Sequence, residues 1–220
     1  MTVTKLYYVA DPMCSWCWGF APVLATLRTV LPPTLKVHYI MGGLAPDSNE
    51  PMPATVRSYV RNAWRQVEKQ TGASFNWDYW EKCRPRRSTY PACRAVLAAA
   101  QQGAGEAMFN AIQQAYYLAA QNPSDLETLY HLAAQLDLDV KRFIPWSNVG
   151  FWIKAIFQSG TIAGNNADVI RLIWSSELWP SHVCSKTSTD FYAACIVNSK
   201  IPGSVSDREI DRLTCNYRFS

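Results

Sequence analysis

The sequence contains few charged residues and no long apolar run. Charged residues make up 17% of the 220 residues, and 21 Lys and Arg stand against 17 Asp and Glu, a formal net charge of +4. This excess is too small to predict a nucleic-acid partner, which requires a concentrated basic face. The apolar runs fall short of the roughly 18–20 residues that span a bilayer, so we do not expect an integral membrane protein. A hydrophobic content of 49% excludes a disordered chain and fits one sizeable domain.

The N-terminus lacks the features of an export signal. Residues 1–12 contain no basic segment followed by an apolar stretch and a small-residue cleavage site. We therefore expect a cytoplasmic location, where thiols are mostly reduced. The seven cysteines are an odd number and cannot all pair within one chain. A close pair of cysteines is then expected to be catalytic or metal-binding rather than structural.

The first forty residues alternate between strand and helix patterns. Leu6–Val9 is a short β-rich run that ends at Asp11-Pro12, and residues 13–31 carry apolar side chains at helical spacing. Residues 35–41 alternate with period two and end at a pair of glycines. A strand, a helix and a strand at this spacing predict a parallel βαβ unit with a right-handed crossover.

The next hundred residues are predominantly helical in pattern. The spacing of apolar residues predicts helices from about Val56 to Gly72, over roughly 90–102 and over 104–121. Ser124, with Glu127 three residues later, predicts a capping box at the start of a helix that runs to about Leu136. An aromatic group at residues 75–80 is expected to form the seam between this block and the rest of the core.

The segment Cys14-Ser15-Trp16-Cys17 follows a strand and opens a helix. The unpaired N–H groups and the dipole at a helix N-terminus favour a negative charge, so the pKa of Cys14 should fall below about 8.5. A thiolate is the form that attacks a disulfide, and Cys17, one turn further on, could resolve the mixed disulfide. This arrangement indicates a dithiol–disulfide oxidoreductase with Cys14 as the nucleophile.

Two other interpretations of this pair remain open. Half of a zinc site would need a second close pair, but the other cysteines show no second C-x-x-C and the three histidines are scattered. An inert pair in a core is the second alternative. The strand-then-helix context favours the redox interpretation over both.

The sequence resembles the DsbA-like thioredoxin-fold family, in particular its cytoplasmic FrnE-type oxidoreductases. The resemblance covers residues 1 to about 142, and the part around the two cysteines is the most specific. The matching stretches are Tyr8-Val9-Ala10-Asp11-Pro12-Met13-Cys14-Ser15-Trp16-Cys17-Trp18-Gly19-Phe20, Met41-Gly42-Gly43-Leu44, Arg86-Arg87-Ser88-Thr89-Tyr90-Pro91-Ala92-Cys93-Arg94-Ala95 and Ala115-Tyr116-Tyr117-Leu118.

The resemblance implies an α/β fold of the thioredoxin type, interrupted by an all-helical insertion. Residues 1–44 would form the first part of the thioredoxin-like domain, 45–142 the insertion and 143–220 the remainder. It also implies that Cys14 is the nucleophile, that Cys17 is the resolving cysteine, and that no cofactor is bound. No metal site is expected, because the cysteines and histidines offer no second close pair.

The last 78 residues depart from the family pattern. They contain 5 alanines and 11 serines, whereas residues 1–142 contain 20 and 6. The family carries a hydrophobic residue followed by a cis-proline in a strand beside the cysteines. Pro180 lies nearest to that place and is our candidate, with Trp16, for substrate contact. Residues 191–197 are the one stretch of this part that we predict as a strand.

The departure suggests a hypothesis about the reading frame. Reverse translation of residues 177–185 in a shifted frame makes the Trp179/Pro180 junction encode alanine, and its neighbours can then encode the missing apolar and proline motif. Residues 143–220 are therefore either divergent or read in a shifted frame. Resequencing of the coding DNA decides between the two.

Several further residues have a functional and a structural interpretation. Trp16 is expected at the surface and Trp18 in the helix core. Cys83 and Cys93 are expected to be buried or unremarkable thiols, with an accessory redox pair as the alternative. The basic run Lys82, Arg84, Arg86 and Arg87 either is solvated or holds an anionic thiol such as glutathione.

The predicted activity is exchange between this dithiol and protein or small-molecule disulfides, with glutathione or the thioredoxin system as possible partners. Glutathione-dependent isomerases or transferases of the same fold are one alternative, but they usually replace the first cysteine by serine. A non-catalytic redox sensor or binding module is the other alternative.

Overall fold

The chain begins with a strand, a helix and a second strand. The computed structural model describes residues 6–147 and 195–198. Strand β1 (Leu6–Ala10) is followed by helix α1 (Ser15–Val30) and strand β2 (Val37–Met41). The two strands are parallel, with Leu6 opposite Val37 and Ala10 opposite Met41. The βαβ unit predicted from the periodicity is therefore confirmed.

A third strand completes the described part of the sheet. Strand β3 (Cys195–Asn198) pairs antiparallel with β1, so that β1 lies between β2 and β3. The predicted strand at 191–197 is thus confirmed in its last three residues. In the middle of β1, Tyr8 is only 1% exposed, because its ring packs against Phe20, Tyr39 and Phe109.

Helices make up the chain between β2 and residue 147, as the sequence predicted. In this described stretch they are α2 (Ala54–Thr71), α3 (Tyr79–Lys82), α4 (Tyr90–Ala100), α5 (Gly105–Tyr117), α6 (Leu126–Gln135) and α7 (Val140–Ser147). Helix α2 ends at Gly72, whose φ of 72° lies in the left-handed region that glycine adopts without strain. Among the described residues, no helix is long and apolar enough to cross a membrane.

The capping box predicted at Ser124 is wrong. Helix α6 starts one residue later than that prediction requires, with Asp125 at the N-cap and no side-chain capping bond. The Ser124 hydroxyl is buried and donates instead to the carbonyl of Ser88, 2.7 Å away. The Ser124 hydroxyl, which the local pattern assigned to the cap of α6, is therefore used in a tertiary hydrogen bond instead.

The helical insertion has an aromatic core centred on Trp64. This side chain is fully buried, and its ring centroid lies 4.9 Å from that of Phe75 and 5.0 Å from that of Trp80. The same ring contacts Tyr116 and Tyr117 of α5, both at 5.4 Å. The aromatic residues at 75–80, predicted as a seam, thus pack mainly inside the insertion.

Helices α1 and α2 approach each other closely at Gly19. A Cβ atom at this position would lie 2.7 Å from Cγ1 of Val67 and 3.0 Å from the side chain of Thr71. Only a residue without a side chain fits there, so α2 packs directly on the backbone of the helix that carries the cysteines. This contact fixes the insertion relative to the βαβ unit.

Candidate active site

Cys14 lies at the N-terminal end of α1. After β1 the chain makes a turn in which the Cys14 N–H donates to the carbonyl of Asp11 at 3.0 Å. Cys14 is the N-cap residue, with extended backbone angles (φ −82°, ψ 115°). Its carbonyl accepts the N–H of Trp18 at 3.1 Å, the first hydrogen bond of the helix. The Cys14 sulfur is thereby placed beside helix N–H groups that have no acceptor within the helix.

The two thiols of the C-x-x-C segment interact directly. Cys17 donates a hydrogen bond to the Cys14 sulfur, and this bond is the largest reason why the pKa of Cys14 falls below its ordinary value. Burial acts in the opposite direction, since Cys14 is only 6% exposed. The backbone N–H groups of Cys17 and Trp16 add to the lowering. The balance favours a thiolate on Cys14, as the helix N-terminus predicted.

The pKa of Cys17 shifts in the opposite direction to that of Cys14. Its pKa is raised well above the ordinary value by the hydrogen bond to Cys14, by burial and by the negative charge on Cys14. Its exposure is 1%, against 6% for Cys14. The pair therefore combines a Cys14 whose pKa is lowered with a Cys17 that keeps its proton, and both side chains are buried.

A buried carboxylate lies next to the pair. Asp11 is 2% exposed, and its Oδ1 accepts the N–H of Met13 at 2.8 Å. Its Oδ2 accepts the N–H of Leu44 at 2.8 Å, the hydroxyl of Thr89 at 2.7 Å and the thiol of Cys93 at 3.5 Å. Burial raises the pKa of Asp11, and these four donors act against that rise. Asp11 in turn raises the pKa of both Cys14 and Cys17 through its charge.

Two tyrosines line the inner side of the site. Tyr8 of β1 and Tyr117 of α5 are 1% and 0% exposed. Burial is the main reason why the pKa of each phenol is raised, and the charges of Cys14 and Cys17 raise both further. Both phenols therefore stay protonated at neutral pH. They supply a largely apolar wall behind the thiols.

The two tryptophans of the segment are both half-buried. Trp18 stacks on Tyr117 with ring centroids 5.5 Å apart, and its Nε1 donates to the carbonyl of Ser74 at 3.0 Å. It thus joins α1 to the insertion, which agrees with a core role. Trp16 packs against the edge of the core and keeps part of its surface exposed beside Cys14. Pro180, the other candidate for substrate contact, lies outside the described residues.

The remaining cysteines of the insertion do not face each other. Cys93 is fully buried and donates to Asp11, while Cys83 is half-buried and donates to the carbonyl of Ala120 at 3.0 Å. Burial, and then the charge of Asp125, raise the pKa of Cys83. The structural interpretation of these two thiols is thus favoured over an accessory redox pair.

Part of the basic run is engaged in contacts within the protein. Lys82 pairs with Asp78 at 2.6 Å, and Arg86 lies 2.5 Å from both Asp125 and the carbonyl of Ser124. In the described part of the chain, no group of three or more His, Cys, Asp or Glu side chains is arranged to hold a metal ion.

The sequence analysis missed the carboxylate cluster. Asp11 was interpreted only as the end of a strand, and Thr89 and Cys93 lie 78 and 82 residues away from it. One local signal was present, because Thr89 and Cys93 are four residues apart and so lie on one face at the start of α4. That spacing alone gives no indication of what the face contacts.

Comparison with known proteins identifies relatives of this chain. The model of a family described as thioredoxin matches residues 7–148. A proposed protein disulfide isomerase from Nitrosomonas europaea has a similar structure, with a TM-score of 0.66, 25% identity and 98% of each chain covered. The cytosolic disulfide reductase DsbM from Pseudomonas aeruginosa is 30% identical, with a TM-score of 0.58 over 72% of this chain and 77% of that chain. Another structure of the same reductase was determined with GSH.

A curated relative has a different described role. The ClpXP adapter protein SpxH of Halalkalibacterium halodurans is 28% identical over 145 residues, which are 63% of this chain. The match spans 47% of SpxH, so the chain covers about half the length of that relative.

Proposed function

The chain belongs to the thioredoxin family, and from this premise we propose that it is a thiol–disulfide oxidoreductase in which Cys14 is the nucleophile and Cys17 the resolving cysteine. Its helix-rich, thioredoxin-like fold with a small sheet is shared with DsbA-like oxidoreductases, as the sequence predicted. The observation that carries the proposal is the position of the pair: Cys14 is the N-cap residue of α1 directly after β1, and Cys17 lies in the first turn of that helix.

The first half of the reaction uses the Cys14 thiolate. It attacks one sulfur of a substrate disulfide, the substrate S–S bond breaks, and a mixed disulfide forms between Cys14 and the substrate. The other substrate sulfur leaves as a thiolate and takes a proton from solvent. A lowered pKa for Cys14 increases the thiolate fraction available at neutral pH.

The second half requires Cys17 to lose its proton. Two of the causes that raise its pKa, the hydrogen bond to Cys14 and the charge of Cys14, disappear once Cys14 is a neutral mixed disulfide. Cys17 is then easier to ionise at the moment when it is needed. Its thiolate attacks the Cys14 sulfur and the bond between Cys14 and the substrate breaks. The substrate sulfur leaves as a thiolate and takes up the proton that Cys17 has released. The substrate has gained two electrons and two protons, and the protein holds the Cys14–Cys17 disulfide.

The substrates we propose are protein or small-molecule disulfides and thiols. The similarity to a cytosolic disulfide reductase that was crystallised with GSH supports glutathione as a partner and a cytoplasmic location. Trp16, half-buried beside Cys14, is the proposed contact for the substrate. Reduction potentials in this fold range from about −270 to −120 mV, and the potential of the pair sets the direction of electron flow.

A non-catalytic binding module is the second candidate, and the similarity to a ClpXP adapter favours it. Turnover separates the two candidates. In an insulin-reduction assay with dithiothreitol, the wild-type chain should accelerate precipitation of the insulin B chain, and Cys14→Ser should reduce the rate to background.

Cys83→Ser serves as the matched control in this assay, because Cys83 lies away from the pair and is more exposed than Cys14. It should retain the wild-type rate. A wild-type rate equal to background, or an unaffected rate in Cys14→Ser, removes the oxidoreductase proposal.

A further inference from the structure

We propose that Asp11 is a positioning residue of the redox centre: a fixed buried anion, held by the helical insertion through Thr89 and Cys93, that makes the Cys14–Cys17 disulfide a weaker oxidant. The inference deepens the proposed function and rests on it, since it concerns the potential of the same pair.

The hydrogen bonds around Asp11 favour its ionised form, against the burial that raises its pKa. Two of its four donors, the N–H groups of Met13 and Leu44, can only donate, and each is 2.8 Å from a different carboxylate oxygen. The hydroxyl of Thr89 and the thiol of Cys93 donate to the second oxygen. A carboxylate accepts all four bonds, whereas a protonated Asp11 would have to reverse the bond to Thr89, whose hydroxyl would then donate to the carbonyl of Ala45 at 3.5 Å. The arrangement is therefore complementary to the charged form.

The charge is not neutralised by an ion pair. In the part of the chain that the structure describes, the ion pairs do not include Asp11. Arg94, the nearest cation along α4, is bound through both of its terminal nitrogens to Asp47, at 2.7 and 2.8 Å. The negative charge of Asp11 therefore acts on its neighbours with little internal compensation.

The negative charge of Asp11 acts on the thiols of Cys14 and Cys17. Asp11 also precedes Cys14 by three residues and accepts the Cys14 N–H through its carbonyl. The charge makes a thiolate on Cys14 less favourable, and so destabilises the reduced form of the pair. A protein whose reduced form is destabilised is a weaker oxidant. Asp11 thus opposes the stabilisation that the helix N-terminus supplies.

The insertion controls this carboxylate. Thr89 precedes α4 and Cys93 lies in its first turn, so two of the four donors belong to the insertion and two to the βαβ unit and the loop after it. This gives the buried Cys93 a role as a hydrogen-bond donor rather than as a redox partner.

The test is the reduction potential of the pair in glutathione buffers, at a pH above the Cys14 pKa of every variant. For Asp11→Asn we expect the equilibrium constant with glutathione to change about three- to tenfold toward a stronger oxidant, where tenfold equals about 30 mV for this two-electron couple. The pKa of Cys14, followed by thiolate absorbance, should fall in the same variant. Asp78→Asn removes an exposed carboxylate of the insertion that pairs with Lys82, and should change neither value.

A second set of variants keeps the carboxylate and changes its donors. Thr89→Val removes the 2.7 Å bond that offsets part of the carboxylate charge, so the pair should become a weaker oxidant than in the wild type, opposite in direction to Asp11→Asn. Thr89→Ser keeps a hydroxyl and should restore the wild-type potential. A purely structural role for this bond would not link the potential to the presence of a hydroxyl.

Unchanged potential and Cys14 pKa in Asp11→Asn, or no difference between Thr89→Val and Thr89→Ser, overturn the inference. Failure of the inference about Asp11 is distinguishable from failure of the proposed function. The reduction potential and the Cys14 pKa are equilibrium properties of the thiols, whereas the proposed function is tested by turnover. A chain that lacks turnover but shows the expected shift in Asp11→Asn contradicts the proposed function and supports the effect of Asp11 on the thiols.

Discussion

The βαβ unit and the helical insertion contribute different things: the first supplies the reactive groups, and the second supplies a large buried aromatic core. In the βαβ unit the reactive groups come from one short stretch, Asp11 to Cys17, at the turn between β1 and α1. In the insertion, large aromatic rings from α3, from α5 and from the segment between α2 and α3 surround Trp64 of α2. The chemistry is thus local in sequence, whereas the packing that holds its surroundings is not. Stability and reactivity should respond to mutations in different regions.

The largest expected loss of stability lies in the insertion. Trp64→Ala removes a fully buried ring that contacts six other aromatic rings of the described residues, and should lower the free energy of unfolding by about 3–5 kcal/mol. Trp16→Ala is the control in the βαβ unit, and should cost much less because its ring is only half-buried. Urea unfolding measures both. Equal losses would contradict the division between the two regions.

An intermediate effect is expected where the two regions touch. Gly19→Ala would place a Cβ 2.7 Å from Val67, so α2 must shift, at a cost of about 1–3 kcal/mol. Helix propensity alone predicts the reverse, a gain of about 1 kcal/mol from Gly to Ala. The sign of the change in thermal unfolding therefore distinguishes the contact from propensity.

Ala25→Gly on the exposed face of the same helix provides the control for that measurement. It should cost about 1 kcal/mol from propensity, with no contribution from packing on α2. If Gly19→Ala stabilises the protein, the close approach of α1 and α2 is wrong.

The smallest effect is expected at an exposed charged link between the regions. Arg28 of α1 pairs with Glu106 of α5 and donates to the hydroxyl of Tyr39 in β2 at 2.7 Å. Glu106 is 48% exposed, so Glu106→Gln should cost less than about 1 kcal/mol, and less still at high salt. Urea unfolding at two salt concentrations measures this, and a loss of several kcal/mol would show that the link is more than a surface ion pair.

The sequence predicted the features that depend on nearby residues. Periodicity predicts β1, α1 and β2 to within two residues of their bounds. The lowering of the Cys14 pKa was expected from its place before a helix, although the hydrogen bond from Cys17 contributes most to it. Ser124 was misread because its hydroxyl serves Ser88, a contact that no local pattern encodes. The same limit applies to Asp11, whose donors Thr89 and Cys93 become neighbours only after the insertion has folded.

The central claim is that Cys14 is a reactive thiolate and Cys17 is not. Brief alkylation of the reduced protein with iodoacetamide over a pH series, with each adduct quantified by mass spectrometry, tests it directly. The rate at Cys14 should rise with pH to a plateau, with a midpoint below the ordinary cysteine value of about 8.5, because only the thiolate reacts.

Cys83 gives this experiment its internal control. It is more exposed than Cys14, but burial and Asp125 raise its pKa, so at neutral pH it should react more slowly despite its better access. Cys17 should react only at strongly alkaline pH. Faster modification of Cys83 than of Cys14 at neutral pH, or equal rates at Cys14 and Cys17, would contradict the account.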